Sequence, residues 1–87
     1  MTKEEAREYT LQVLLDAAIA LGSKAALARE FGLKPAAISQ WIKRRRFPVR
    51  LAYRMSKIVG KKHSLEAITK AVLIQSFPKG VGEGQAS

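Results

Sequence analysis

The sequence predicts an all-α fold, a compact bundle of about five helices, and three observations carry that expectation. Apolar residues recur at spacings of three and four, the period of one helical face, and no stretch alternates as a strand would. Helix-opening residues (Ser23, Pro35, Pro48, Ser64) and helix-closing glycines (Gly22, Gly32, Gly60) divide the chain into short segments. The stretch Ala25 to Trp41 reads as two short helices meeting at a glycine, a helix-turn-helix.

The first helix is expected over residues 3–21. Leu11, Leu14, Leu15, Ala18 and Ile19 form its apolar stripe, Gly22 ends it, and its Glu-rich first turns are exposed or frayed. Ser23 caps a second helix from Lys24 to Phe31, and a third runs over residues 35–44. Pro48 opens a fourth helix reaching Val59, with Val49, Ala52, Met55, Ile58 and Val59 inward and Arg50, Arg54, Lys57 and Lys61 on one cationic stripe. Ser64 caps a fifth helix from Leu65 to about Phe77. Its surplus of apolar residues either completes the core or meets another subunit. Residues 1–77 thus make one domain, and residues 78–87, rich in glycine, lack a packable face and are expected to be disordered.

Geometry gives reasons for each step of the helix-turn-helix. Two helices that cross tightly need a very small residue at the contact and a turn residue that accepts positive φ, and Ala28 and Gly32 meet those demands. Leu27, Phe31, Leu33, Ile38 and Trp41 are spaced to converge on one core, so core packing is the preferred reading of Trp41 over base stacking. Lys34-Pro35 makes a sharp entry to helix 3, because proline at the first helical position sacrifices an amide without an intrahelical partner.

Composition limits the function classes. A chain of 87 residues buries only about 60–65% of its unfolded surface, too little for a deep catalytic cleft together with a robust core. With no cysteine, disulfides and thiolate metal sites are excluded, and no apolar run reaches the ~18 residues of a membrane span. A soluble, cytoplasmic binding module without cofactor or metal is expected. The net charge is +9, and no acidic residue falls between Glu30 and Glu66, where Lys34, Lys43, Arg44, Arg45 and Arg46 lie. Such a basic run directly behind a helix-turn-helix points to nucleic acid.

The run from Leu14 to about Ile58, and above all AALAREFGLKPAAISQWIKRRR, resembles the helix-turn-helix of phage Cro-type repressors and the related YdaS-type prophage regulators. The resemblance implies a lambda-repressor-like helical domain. It also implies a homodimer that binds double-stranded operator DNA with helix 3 in the major groove and regulates transcription, associated with the nucleoid of a bacterial host. Matched position by position, the base-facing residues are Lys34, Pro35, Ala36, Ser39, Gln40 and Lys43. Alanine meets a thymine methyl, glutamine pairs with adenine and lysine reaches guanine, so Gln40 and Ser39 are the specificity candidates. Arg44, Arg45 and Arg46 are candidates for phosphate, with Arg45 and Arg46 alternatively solvating the loop. Lys24 either holds a phosphate or is a plain surface lysine.

Two other classes remain for comparison. An antitoxin-like interaction module would use helix 5 to cover a protein partner and bind DNA for autoregulation. An RNA binder would show exposed aromatics for stacking, whereas Phe31, Trp41 and Phe47 read as buried. Catalysis is not expected: a serine triad needs His63 beside Asp16, which lie on a distant loop and on helix 1, and His63 reads as a surface residue. Gly80-x-Gly82-x-Gly84 has neither the preceding strand nor the following helix of a phosphate loop.

Overall fold

Three of the five helices begin where the sequence supplies a side-chain partner for their first free amides. In the computed structural model, which describes residues 1–76, α1 spans Lys3–Leu21, α2 Lys24–Glu30, α3 Pro35–Arg44, α4 Ala52–Val59 and α5 Leu65–Ser76, with a 3₁₀ turn over Val49–Leu51 before α4. No strand occurs among the described residues, so the fold is all-α. The expected end of helix 5 at Phe77 and the tail over 78–87 lie outside the described residues.

The acidic start of α1 is exposed and firmly capped. Thr2 Oγ1 accepts from the Glu5 amide (3.0 Å) and the Glu5 carboxylate accepts from the Thr2 amide (2.8 Å), a capping box. That backbone bond holds the Glu5 carboxyl below its usual range. Ser23 caps α2 through the Ala26 amide and Ser64 caps α5 through the Ala67 amide. At α3 the sharp entry needs no side-chain cap: Lys34 is extended (φ −83°, ψ 153°) and Pro35 occupies the first turn.

Left-handed residues close three helices. Gly22 (φ 106°) ends α1, and the chain bends by 92° into α2. After α2 the Leu33 amide donates to the Ala28 carbonyl (2.8 Å) and the Gly32 amide to that of Arg29 (3.1 Å), with Gly32 at φ 69°. This paired closure satisfies two carbonyls that the helix leaves open. No atom lies within 4 Å of a Cβ placed on Gly32, so glycine is required there by backbone conformation and not, as tight crossing of the helices would suggest, by crowding. The same closure ends α3, where Arg46 donates to Trp41 (3.1 Å) and Arg45 itself sits at φ 58°.

The core unites Val13, Leu14, Leu27, Ala28, Phe31, Ile38, Phe47, Met55, Ile68 and Val72. Trp41 packs edge-on to Phe31 and tilted against Phe47, both at 5.9 Å between ring centres, in keeping with its core reading. Helix α5 lies along α1 and completes the core with Ile68, Ala71 and Val72, leaving Leu65 and Leu73 40% and 38% exposed.

Several apolar residues face differently from expectation. In α1 the buried arc is Ala6, Thr10, Val13, Leu14, Ala17 and Ala18, while Leu11 and Leu15 are half-buried and Ile19 is 74% exposed. The cause is that α5, α2, α4 and the end of α3 all pack against α1, so the arc that is covered is set by its neighbours and not by its own apolar periodicity. Leu33, directly after the left-handed Gly32, and Val49, at the start of the 3₁₀ turn, are each 38% exposed, and Ile58 is half-buried. The fourth helix starts at Ala52, not at Pro48, because the intervening residues take the tighter 3₁₀ turn.

Candidate nucleic-acid interface

Helix α3 is held by its apolar side and presents a polar one. Ile38 is fully buried and Trp41 and Ile42 are half-buried, so the opposite arc of Lys34, Pro35, Ala36, Ser39, Gln40, Lys43 and Arg44 stands in solvent. No acidic residue falls between Glu30 and Glu66, so α3 carries no carboxylate of its own.

At the C-terminal end of α3 the cations gather into two depressions. One of about 550 Å³ is lined by Arg7, Gln40, Lys43, Arg44 and Arg46. The other, about 590 Å³, is bounded by Trp41, Arg44, Arg46, Phe47, Pro48, Val49 and Arg50. Gln40, Lys43, Arg44 and Arg46 are therefore brought together. Lys34, Ala36 and Ser39 stand exposed on α3 outside both depressions, and Lys24 is an exposed residue at the head of α2.

Arg45 does not join this cluster. Its guanidinium folds back on α1, donating to Glu8 Oε2 at 2.5 Å and lying 4.0 Å from Glu4. The left-handed backbone at Arg45 supplies the reason: it reverses the chain between Arg44 and Arg46 and sends the intervening side chain toward α1. Arg7, one residue before Glu8, joins the cationic cluster instead, a placement with no local sequence signal because it depends on how α1 lies beside α3.

The stripe on α4 is partly spent on packing. Arg54 sits over the Phe31 ring (4.7 Å to its centre) and donates to the Glu30 carbonyl (2.8 Å), and the Lys57 ammonium lies 5.0 Å from the centre of the Tyr53 ring. Arg50 remains in the second depression.

His63 is a correction to the surface reading: it is 9% exposed and bridges two residues of α1. A carboxylate only accepts, so Nε2 donates to Asp16 Oδ2 (2.7 Å), and in the neutral ring Nδ1 accepts from the Tyr9 hydroxyl (2.8 Å). The separation expected of Asp16 and His63 is thus wrong, because the turn after α4 returns to α1. Hydrogen bonding from His63, with help from Gln12 and Lys62, holds the Asp16 carboxyl below its usual range against the effect of burial, and burial pushes the Tyr9 phenol up. Each polar atom of this cluster has a partner within the chain, and together they tie the turn after α4 to α1. Among the described residues no group of three or more metal-ligating side chains gathers, and no single helix is long and apolar enough to cross a membrane. The chain matches no family model, no curated protein and no solved structure in comparisons with each.

Proposed function

We propose that this protein is a sequence-specific double-stranded DNA-binding transcriptional regulator of the Cro or YdaS type, a repressor that lays α3 in the major groove. The observation that carries the reading is the division of α3 itself: one arc is anchored in the core, and the other offers small and hydrogen-bonding side chains that end in the cluster of Lys43, Arg44, Arg46 and Arg7. Small residues let a helix approach base edges, and guanidinium groups at its end neutralise phosphates. In this reading Gln40 and Ser39 read bases, Lys34, Ala36 and Lys43 flank them, and Lys24, Arg44, Arg46 and Arg7 hold the backbone. Arg45 supports α3 through Glu8. The protein works in the cytoplasm, on the nucleoid.

Site selection from random duplexes tests the reading and yields the preferred site. On that site Gln40→Ala costs about 1–3 kcal/mol with little loss on scrambled DNA, whereas Arg46→Ala weakens both and lowers the magnitude of the salt slope by about one. Arg45→Ala lowers the slope less than Arg46→Ala. No preferred sequence, or equal losses on both duplexes for Gln40→Ala, overturns the role given to α3.

A two-fold dimer would set two such helices about 34 Å apart. We place the contact on the outer edge of α5, where Leu65 and Leu73 remain exposed. Leu73→Glu then yields a folded monomer with weaker operator binding, and light scattering that finds the wild type monomeric both free and on DNA refutes the dimer. The antitoxin-like reading would draw on the same outer edge of α5, since Ile68 and Val72 are buried in the core while Leu65 and Leu73 stay exposed; stable co-purification with a protein partner would favour it.

A further inference from the structure

The most exposed large aliphatic side chain among the described residues is Ile19, on the last turn of α1. It borders a groove of about 490 Å³ whose apolar surface comes from Ile19, Ala20, Ile58 and Val59 and whose rim carries Lys57, Lys61 and Lys62. A second depression of about 420 Å³ shares Ala20, Lys57 and Ile58 with it and extends it to Leu21 and Arg54. Together they form an apolar trough between α1 and α4 with a cationic border. Its acidic members are Asp16, buried and held by His63 with Lys62 close by, and Glu30 at the far end.

We propose that this trough is the docking site for an acidic amphipathic peptide segment of a partner protein, whose apolar residues enter the trough and whose carboxylates meet Lys57, Lys61 and Lys62. Phosphate has no use for an exposed isoleucine, so the trough is not an extension of the DNA-binding face, with which it shares no lining residue. A second copy of the chain is a poor occupant: its acidic stretch is the start of α1, where Glu5 is engaged in the helix cap and Glu8 in the pair with Arg45. Ile19 alone protrudes at one edge, and the apolar surface beyond it, Ile58 and Val59, lies between two helices, where the ridge of a peptide fits better than a flat membrane surface. The lysine rim selects the sign of that peptide's charge and speeds its encounter.

The test is selection of peptides from a random displayed library on the full chain, followed by synthesis of those recovered. Peptides with Asp or Glu interleaved with large apolar residues at helical spacing are expected. Their binding is about tenfold weaker to Ile19→Gln, a loss typical of a buried anchor, and weaker also to Lys61→Gln. Amide resonances of Ala20, Ile58 and Gly60 shift on binding and that of Gln40 does not. Ile19→Gln leaves the melting temperature and duplex DNA binding unchanged, which separates failure of this inference from failure of the DNA-binding reading. Recovery of no peptide, of peptides without acids, or of peptides that bind Ile19→Gln as well as wild type overturns the proposal. So does a dimer dissolved by Ile19→Gln, which would make the occupant a second copy, or binding to anionic phosphatidylglycerol vesicles that Ile19→Gln abolishes, which would make it a membrane.

Discussion

The α2–α3 unit and the seam between α1 and its covering segments are built by different means. Inside α2–α3 the buried side chains are apolar, Leu27, Ala28, Phe31 and Ile38, and the geometry comes from a backbone closure at Gly32. Along α1 the buried contacts are interrupted by polar groups, each with a partner. Gln75 Nε2 donates to Thr10 Oγ1 (2.9 Å), Thr10 Oγ1 donates to the Ala6 carbonyl (2.8 Å), and His63 joins Tyr9 to Asp16. Apolar packing supplies energy with little preference for register. A buried polar group left unpaired costs about 1–3 kcal/mol, so sliding α5 or the turn after α4 along α1 by a single residue is penalised. The unit that carries the proposed reading helix is defined locally, and the seam fixes how the rest of the chain is laid against it.

The largest expected effect lies in the apolar unit. Leu27→Ala empties a fully buried site and lowers stability by about 2–5 kcal/mol in denaturant unfolding. A loss below about 1 kcal/mol would mean that the two regions do not divide energy and register as described.

The seam is next. His63→Phe keeps bulk and removes both hydrogen bonds, leaving Asp16 short of a partner, with an expected loss of about 1–3 kcal/mol. Its dependence on pH has a definite sign. The folded state holds the Asp16 carboxyl below its usual value, so the stability it contributes is complete above about pH 4 and disappears as pH falls through the folded value. The melting temperature of the wild type therefore drops on acidification below about pH 4, and in Asp16→Asn that drop is smaller. Equal acid sensitivity of the two proteins would remove Asp16 from the groups that hold the seam.

Smallest is the turn. Gly32→Val has no steric neighbour to meet and is strained only by its left-handed backbone, for a loss of about 1–3 kcal/mol, with the lower part of that range expected. Thermal melting of this variant beside Leu27→Ala checks the ranking.

The contrast also explains what was legible in the sequence. Ser23, Pro35, Gly32 and Ser64 act on residues within four positions of themselves, and the helices they bound appear where local rules place them. The buried arc of α1 is not legible locally, because apolar residues surround that helix and only the packing of α5, α2 and α4 selects which of them are covered. His63 bonds across 47 and 54 positions to Asp16 and Tyr9, and Arg45 across 37 to Glu8, distances over which no periodicity reaches. In the candidate interface, the outer arc of α3 followed from its own sequence. The exchange of Arg45 for Arg7 in the cationic cluster depended on a left-handed residue at the end of α3 and on the line of α1 beside it.

The open space around Gly32 has a consequence for the unfolded ensemble. Glycine loses more backbone freedom on folding than any other residue, and here that loss serves conformation alone, since a side chain would touch nothing. Asparagine tolerates the same left-handed region and samples fewer states when unfolded. Gly32→Asn therefore gives back part of the strain it introduces by narrowing the denatured ensemble, without adding or removing a contact in the native protein. Stability becomes adjustable at a position that neither the core nor the outer arc of α3 would register.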